Sequence, residues 1–398
     1  MNNNISLTAS TVTTALGAGR SANHEALKQS RTGLQKNGFV GIEFDTYIGQ
    51  VDGVDDVILP EELADFDCRN NRLAELSLQQ DGIFEAIEEL KVRYGAERVG
   101  LFIGTSTSGI QQTEMAYAAR APETGELPAW FNYEMTHDVF SPAAFLVKRL
   151  GLRGPAQVIS TACSSSARVF AAAVRHIKAG LCDAAIVGGV DSLCQMTLYG
   201  FNALQLVSNK PCCPADVDRD GINIGEAAGF VLLETGHQED ALSLLGYGES
   251  SDAWHMSSPH LEGKGAVQAM QEALAYANLE PAQIDYINLH GTATPANDLA
   301  EDQAMMTVFS GKNLCSSTKG FTGHTLGAAG IVGAVFSCIS IEENLLPVSL
   351  NTRRIDSKIH SNIVLDASSE ANSEIDIVMS NSFGFGGSNS SLIIGRPA

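Results

Sequence analysis

The chain repeats one order of strands and helices in its two halves, and this duplication limits its possible folds more than any other feature. Apolar residues recur at helical spacing over 73–94 and again over 265–278, and each stretch leads into a short apolar strand. Three pairs of predicted strands match: 99–103 with 284–289, 158–160 with 314–317, and 184–189 with 377–381. The sequence therefore predicts two diverged copies of one alternating β/α unit.

The length of 398 residues exceeds one ordinary core, which agrees with two fused halves. Alternating strands and helices predict a layered α/β fold, in which two related sheets share a middle layer of helices. We place the first half at 1–245 and the second at 246–398. The first half also carries an insertion over about 108–155, which is typical of a lid, a pocket wall or a subunit interface.

A cysteine lies where the apolar strand before it turns sharply into a small-residue helix. Cys163 follows the strand at 157–160, and the apolar helix continues through 169–177. Unpaired N–H groups at a helix start favour a thiolate, so we expect the pKa of Cys163 to lie below the ordinary value of about 8.5. A single free cysteine is also typical of a small buried apolar side chain, so its companions in the chain decide between the two interpretations.

Composition excludes several classes of function. The net charge of −21 and the pI near 4.7 argue against nucleic-acid binding. None of the eight cysteines stands in a CxxC pair or a Cys/His ladder, which predicts reduced thiols and no metal site. The N-terminus resembles no signal peptide, and the longest apolar run, 330–341, is too short for a bilayer span of about 20 residues. We therefore expect a cytoplasmic protein without a membrane span.

Two histidines and a lysine in the second half are placed near strand ends. His290 closes a predicted strand, the edge at which ligands bind in open α/β sheets. Lys319 and His324 lie in a glycine-containing stretch just before the second small-residue helix. Either histidine alone would also fit a structural role, but both histidines together with Lys319 favour a site shared with Cys163.

Taken together, the motifs resemble the elongating β-ketoacyl-ACP synthases, the KAS I/II type of the thiolase-like superfamily. The motifs that carry the resemblance are Thr161-Ala162-Cys163-Ser164-Ser165, Asp218-Arg219-Asp220-Gly221, His290-Gly291-Thr292, Lys319 with His324, and Asn381-Ser382-Phe383-Gly384-Phe385-Gly386-Gly387. The resemblance covers nearly the whole chain. It implies a thiolase-like α/β fold of two duplicated βαβαβ halves in five layers, α-β-α-β-α.

The resemblance also implies a decarboxylative Claisen condensation. The thiolate of Cys163 takes an acyl group from an acyl carrier protein, and a carrier-bound malonyl group then loses CO2 and attacks that thioester. His290 and His324 hold the enolate through their Nε2–H groups, as neutral imidazoles. The backbone N–H groups of Cys163 and Phe385 form the oxyanion hole.

Further roles follow from the same resemblance. Lys319 supports the second histidine and pairs with Glu301, with Asp298 one helical turn before it, although a purely structural ion pair is an alternative. The remaining positions are Thr292 and Thr294 for the phosphopantetheine arm, Phe383 and Phe385 for a gate, Thr107 for the end of the acyl tunnel, and Arg69, Arg72 and Lys210 for carrier docking. Scattered surface charges are the alternative for that docking group. No cofactor is implied beyond the phosphopantetheine of the carrier protein.

Other members of the superfamily fit less well. A thiolase needs a second catalytic cysteine in its C-terminal glycine loop, and initiating synthases have asparagine where this chain has His324. A chain-length-factor subunit lacks the reactive cysteine. Ala215 and the pair Cys212-Cys213 depart from the family pattern and favour a specialised pathway, such as aryl polyene synthesis, over primary fatty-acid synthesis. We expect a homodimer, with a heterodimer with a second ketosynthase-like subunit as the alternative.

Overall fold

The computed structural model describes residues 5–236, 241–366 and 374–397. The strands in these ranges are β1 (Ile5–Thr14), β2 (Gly17–Ala18), β3 (Gln35–Lys36), β4 (Tyr47–Gly49), β5 (Val99–Gly104), β6 (Ala156–Ile159), β7 (Ala184–Asp191), β8 (Ile224–Gly225), β9 (Ala227–Thr235), β10 (Leu242–Ser251), β11 (Tyr286–Asn288), β12 (Leu314–Ser316), β13 (Asn362–Ile363), β14 (Ile377–Phe383) and β15 (Ser388–Gly395). The helices are α1 (Arg20–Lys28), α2 (Arg69–Leu78), α3 (Ile83–Tyr94), α4 (Ile110–Ala118), α5 (Tyr133–Thr136), α6 (Ser141–Leu150), α7 (Ser165–Lys178), α8 (Gln195–Ala203), α9 (Lys264–Ala277), α10 (Pro295–Phe309), α11 (Lys319–Thr322) and α12 (Ala329–Glu342).

The strand order confirms the duplication that the sequence predicts. In the first half the order is β6-β5-β7-β9-β1, and in the second it is β12-β11-β14-β15-β10, with β13 outside β12. Each half has three parallel strands followed by antiparallel ones, because β5 runs parallel to β6 and β7 just as β11 runs parallel to β12 and β14. The two halves join where β1 pairs antiparallel with β10, with Ile5 opposite Leu244.

The predicted division between residues 245 and 246 falls inside β10. That strand occupies the place in the second half that β1 occupies in the first, since each pairs with the last long strand of its own half.

The middle layer is made by α7 and α12, which pack between the two sheet halves. Their surfaces are small and apolar, and residues 330–341 of α12 are all buried. The two helices approach so closely that a Cβ on Gly330 would lie 2.2 Å from the Ala167 nitrogen. Helices α2, α3 and α6 cover the outer face of the first half, and α9 and α10 cover that of the second. The five-layered thiolase-like fold is therefore confirmed.

The insertion predicted over 108–155 forms α4, α5 and α6 with their connecting loops. It exposes several large apolar side chains: Met115, Tyr117, Leu127, Trp130, Tyr133, Val139 and Phe140. None of the helices in the described ranges is both long enough and apolar enough to cross a membrane.

Candidate active site

Cys163 lies in the turn that joins β6 to α7, two residues before the helix begins. The preceding residue, Ala162, has a φ of 52°, which is unusual for a residue other than glycine. The Ser165 hydroxyl accepts a hydrogen bond from the Thr161 N–H and donates one to the Ala162 carbonyl oxygen, so both ends of the turn are tied to the helix. The strained turn aims the Cys163 thiol away from the sheet and into the interior.

The structure brings both predicted histidines to this thiol. The Cys163 Sγ atom and one ring nitrogen each of His290 and His324 lie within 4.8 Å of one another, and all three side chains are buried. The two imidazole rings stand nearly perpendicular, with their centroids 5.4 Å apart. A thiol and two imidazoles are also a ligand set that suits zinc, so the predicted absence of a metal stays a prediction.

Hydrogen bonding fixes the proton of His324. The Leu326 N–H donates to Nδ1 of His324 at 3.1 Å, so Nδ1 is the acceptor and Nε2 carries the proton. Nε2 of His324 and Nδ1 of His290 are both buried without a hydrogen-bond partner among the described residues. The ring of His290 lines the same cavity as the Cys163 thiol, so the donor role expected of its Nε2 stays a prediction.

Both imidazoles are neutral. Burial holds the pKa of His290 and that of His324 well below their ordinary value of 6.5, and the neighbouring Lys319 ammonium lowers both further. Uncharged rings can donate to a developing oxyanion without protonating a carbanion. This agrees with the neutral imidazoles expected from the sequence.

The expectation of a depressed thiol pKa was wrong. Burial raises the pKa of Cys163 to about 11, although the Lys319 ammonium and the backbone N–H of Phe385 act in the opposite direction. The sequence indicated the helix start correctly but not how deeply the thiol is buried, and desolvation of a thiolate outweighs the helix dipole here. At neutral pH the side chain of Cys163 is therefore a neutral thiol.

Lys319 is placed beside the site, but its predicted pairing was wrong. Its ammonium donates to the backbone carbonyl oxygen of His290 and not to Glu301, although the Glu301 carboxylate lies near enough for its charge to oppose the fall that burial causes in the pKa of Lys319. Glu301 instead accepts hydrogen bonds from the N–H groups of His290 and Gly291, at 2.8 and 2.7 Å. Lys319 and Glu301 thus both bind the backbone at His290, the lysine through the carbonyl oxygen and the glutamate through the N–H groups, and neither binds His324.

Asp298 braces the loop that follows His290. Its carboxylate accepts from the N–H groups of Ala293 and Ala215 and lies 3.5 Å from the guanidinium of Arg219. Burial raises the pKa of Asp298 and raises that of Glu301 to about 7, because a buried carboxylate loses its hydration.

An apolar cavity of about 710 Å³, including its open mouth, leads to the three reactive groups. Its walls include Cys163, Phe201, Leu206, Ile222, Pro259, His290, Thr292, Thr294, His324, Phe383 and Phe385. The Thr292 and Thr294 hydroxyls bond to each other at 2.9 Å, and both buried side chains form part of the cavity wall. Seven of the predicted site residues therefore line this cavity: Cys163, His290, Thr292, Thr294, His324, Phe383 and Phe385.

Phe385, for which the sequence predicts a gate role, has an aromatic partner that sequence reasoning missed. The rings of Phe385 and Phe201 have centroids 5.5 Å apart, and Phe201 comes from α8 in the first half. The N–H of Gly386 donates to the Met256 carbonyl oxygen at 2.8 Å, which ties the glycine loop to a second loop at the mouth. No local pattern around Phe201 distinguishes it from other apolar residues of α8.

Thr107 is not among the residues that line this cavity, and its place at the end of an acyl tunnel stays a prediction. It is buried, and its hydroxyl donates to the carboxylate of Asp191 at 3.0 Å. Sequence reasoning also missed Asp191, because an acidic residue at the end of an apolar strand has no distinctive spacing.

The predicted carrier-docking role was wrong for Arg69. The same prediction is weakened for Arg72 and Lys210. Arg69 is only 5% exposed and pairs with Glu226 and Asp55, so it serves as an internal counterion. Arg72 is paired with Asp67 and Lys210 with Asp220. Whether an arginine is buried depends on neighbours that are distant in sequence. The spacing of arginines and lysines along the chain does not reveal those neighbours.

Comparison with known proteins agrees with this geometry. Residues 74–239 match the family described as "Beta-ketoacyl synthase, N-terminal domain", and residues 242–353 match "Beta-ketoacyl synthase, C-terminal domain". The chain belongs to the β-ketoacyl synthase family. The boundary between these two matches, at 239–242, coincides with the start of β10 in this β-ketoacyl synthase.

Several named relatives are synthases. The 3-oxoacyl-[acyl-carrier-protein] synthase 2 of Rhizobium meliloti is 40% identical over 261 residues, and the mitochondrial enzyme of Arabidopsis thaliana is 39% identical over 264. The matched segments cover 62% of this chain in both cases, and 62% and 57% of those relatives' own lengths. The synthase 2 of Staphylococcus aureus is 32% identical over 75% of this chain and 77% of its own.

Solved structures match over nearly the full length. A ketosynthase (ApeO) solved in complex with its chain length factor (ApeC), from Xenorhabdus doucetiae, is 37% identical with a TM-score of 0.90, covering 99% of this chain and 98% of that one. A β-ketoacyl synthase from Burkholderia phymatum is 26% identical with a TM-score of 0.86 over 100% of both chains.

Proposed function

We propose that this chain is a condensing enzyme that joins an acyl group held on Cys163 to a malonyl group carried by an acyl carrier protein, with loss of CO2. The observation that carries this proposal is the group formed by one buried thiol and two neutral imidazoles within 4.8 Å, at the end of an apolar cavity. The names of its relatives, 3-oxoacyl-[acyl-carrier-protein] synthases, support the same chemistry.

The first half reaction transfers the acyl group. The neutral thiol of Cys163 must lose its proton, and the neutral imidazole of His290, with a ring nitrogen within 4.8 Å of Sγ, is able to accept it. The sulfur then attacks the carrier thioester, the carrier leaves as its free thiol after taking up that proton, and Cys163 holds the acyl group. The backbone N–H of Phe385, which lies within hydrogen-bonding reach of Sγ, is placed to donate to the oxyanion.

The second half reaction needs a hydrogen-bond donor to the developing enolate oxygen, but no strong acid. When malonyl loses CO2, its thioester oxygen becomes an enolate, and the Nε2–H of His324 is the fixed donor that can stabilise it. The enolate carbon attacks the Cys163 thioester, a C–C bond forms, and the thiolate of Cys163 leaves. Burial keeps both imidazoles neutral and the positive charge of Lys319 adds to this effect, so neither imidazole protonates the carbanion.

The pairing of subunits is a second, finer proposal. We infer that the chain works beside a second ketosynthase-like subunit of the chain-length-factor kind, because the ApeO structure, 37% identical over nearly the whole chain, is a complex with such a factor. The apolar side chains exposed by the insertion, with Met196 and Tyr199 of α8 and Leu204 just after it, supply a surface for that subunit. An aryl polyene type of product and a cytoplasmic location stay predictions.

The proposal is tested by condensation. The chain, alone and with a candidate second subunit, is supplied with an acyl-loaded carrier protein and malonyl-loaded carrier protein, and the carriers are analysed by mass spectrometry. Formation of a 3-oxoacyl carrier that requires Cys163 is expected. Failure with every acyl group and both subunit arrangements would contradict the function, while full activity of a homodimer would contradict only the pairing.

A further inference from the structure

One carboxylate outside the reactive group joins the two halves of the chain. Asp191 ends β7 and is completely buried, yet no lysine, arginine or histidine of the described residues forms an ion pair with it. Its Oδ1 atom accepts from the hydroxyl of Thr105 at 2.7 Å, the N–H of Ser106 at 2.8 Å, and the N–H and hydroxyl of Thr107 at 2.9 and 3.0 Å. One oxygen therefore fixes the loop that follows β5.

The other oxygen reaches into the second half. Oδ2 of Asp191 accepts from the N–H of Gly327 at 2.5 Å and from the Ser106 hydroxyl. A Cβ on Gly327 would lie 2.7 Å from this oxygen, so only glycine allows the contact. The bond holds the turn just before α12, where unpaired N–H groups at a helix start attract an anion.

That turn also sets the orientation of the second histidine. Leu326 has a φ of 51°, a left-handed conformation that is costly for a leucine. Its N–H is the group that donates to Nδ1 of His324 and leaves the proton on Nε2. A strained residue persists only when its surroundings fix it, and the adjacent Gly327–Asp191 bond is such a constraint.

We propose that Asp191 is a positioning residue for the decarboxylation step, acting through Gly327 and Leu326 on the direction and tautomer of His324. The proposal rests on the condensing function proposed above. Acyl transfer to Cys163 does not use the Nε2–H of His324, so the two half reactions respond differently when Asp191 is changed.

The substitution Asp191→Asn separates the two oxygens. The amide oxygen can stay with the four donors from Thr105, Ser106 and Thr107, while the amide NH2 takes the place of Oδ2 and cannot accept from Gly327. We expect malonyl-carrier decarboxylation to fall by roughly ten- to hundredfold, less than loss of an oxyanion donor itself. Acylation of Cys163, followed by intact-protein mass, is not expected to slow, because the charge of Asp191 raises the pKa of Cys163 and its removal favours the thiolate.

Thr105→Val is the matched control, because it removes one hydrogen bond to Oδ1 but leaves the Gly327 bond in place. It is expected to decarboxylate at the wild-type rate. Asp191→Glu is a second variant, for use if the asparagine protein does not fold. It keeps both acceptor oxygens but moves them by one methylene, and it is expected to slow decarboxylation without slowing acylation.

Three results would overturn the proposal. These are wild-type decarboxylation by both Asp191 variants, an equal fall in both half reactions, or a fall as large in Thr105→Val. An inactive wild-type protein in both half reactions would instead contradict the proposed function, so the two failures are distinguishable.

Discussion

The ammonium of Lys319 donates to the backbone carbonyl oxygen of His290, and no described carboxylate forms an ion pair with it. Because Lys319 is buried beside these groups, its positive charge acts on them directly. It opposes the rise that burial causes in the pKa of Cys163, and it adds to the fall that burial causes in the pKa of both histidines. Burial lowers the pKa of Lys319 itself, which is the cost of this arrangement. The lysine thus acts on the site mainly through its charge.

Replacing Lys319 by methionine should therefore slow alkylation of Cys163. Without the ammonium the thiol pKa rises, and at fixed pH the thiolate fraction falls about tenfold for each pKa unit. The pH profile of iodoacetamide labelling, read by the mass of the peptide containing Cys163, should shift to higher pH. Lys210→Met removes an exposed lysine and should leave the profile unchanged; an unshifted Lys319→Met profile would contradict the electrostatic role.

His324→Ala should separate the two half reactions. Loss of the Nε2–H donor should reduce malonyl-carrier decarboxylation by about 10²–10³-fold, the usual effect of removing one oxyanion donor. Acylation of Cys163 should persist. His24, which lies on α1 far along the chain from the site, offers the control His24→Ala; equal loss of both half reactions in His324→Ala would show that the donor assignment is incorrect.

Acid should destabilise the protein through the same histidines. Both have folded-state pKa values below 6.5, so the unfolded chain binds more protons, and stability is lost as the pH falls below about 6.5. Each contributes a slope of at most about 1.4 kcal/mol per pH unit. Glu301, with its pKa raised to about 7, acts in the opposite direction, since stability from that group falls as the pH rises from about 4.5 to 7.

Urea unfolding at several pH values between 5 and 7 measures this balance. The double variant His290→Ala/His324→Ala should lose the favourable slope, so its free energy of unfolding should fall less on acidification than that of the wild type. An unchanged slope would mean that the two imidazoles take up protons in the folded state.

Alanine substitutions at two helical glycines should change the free energy of unfolding in opposite directions. Gly330→Ala places a methyl group against the backbone of Ala167 in the middle layer, and overpacking of this kind should cost about 1–3 kcal/mol or more. Gly200 in α8 is exposed, with no atom within 4 Å of an added Cβ, so Gly200→Ala should stabilise by about 0.5–1 kcal/mol. Thermal unfolding of the two variants measures both; a stabilising Gly330→Ala would contradict the close crossing of α7 and α12.

The fold and the reactive group could be predicted because they follow from local patterns. The repeated strand and helix order predicted the topology, and strand ends placed Cys163 and His290 at the same edge. Three features depended on residues distant in sequence: the burial of Arg69 against Glu226, the carbonyl partner of Lys319, and the raised pKa of Cys163. Spacing shows where a charged group stands along the chain, but not what desolvates or pairs it.

The central claim is that Cys163 is the acyl-accepting nucleophile, and intact-protein mass spectrometry tests it most directly. The wild-type chain and Cys163→Ala are incubated with carrier proteins bearing several acyl groups, with the second subunit present and absent. The account predicts that the wild type alone gains the mass of one acyl group, lost again when malonyl carrier is added. Acylation of Cys163→Ala, or none of the wild type under any of these conditions, would contradict it.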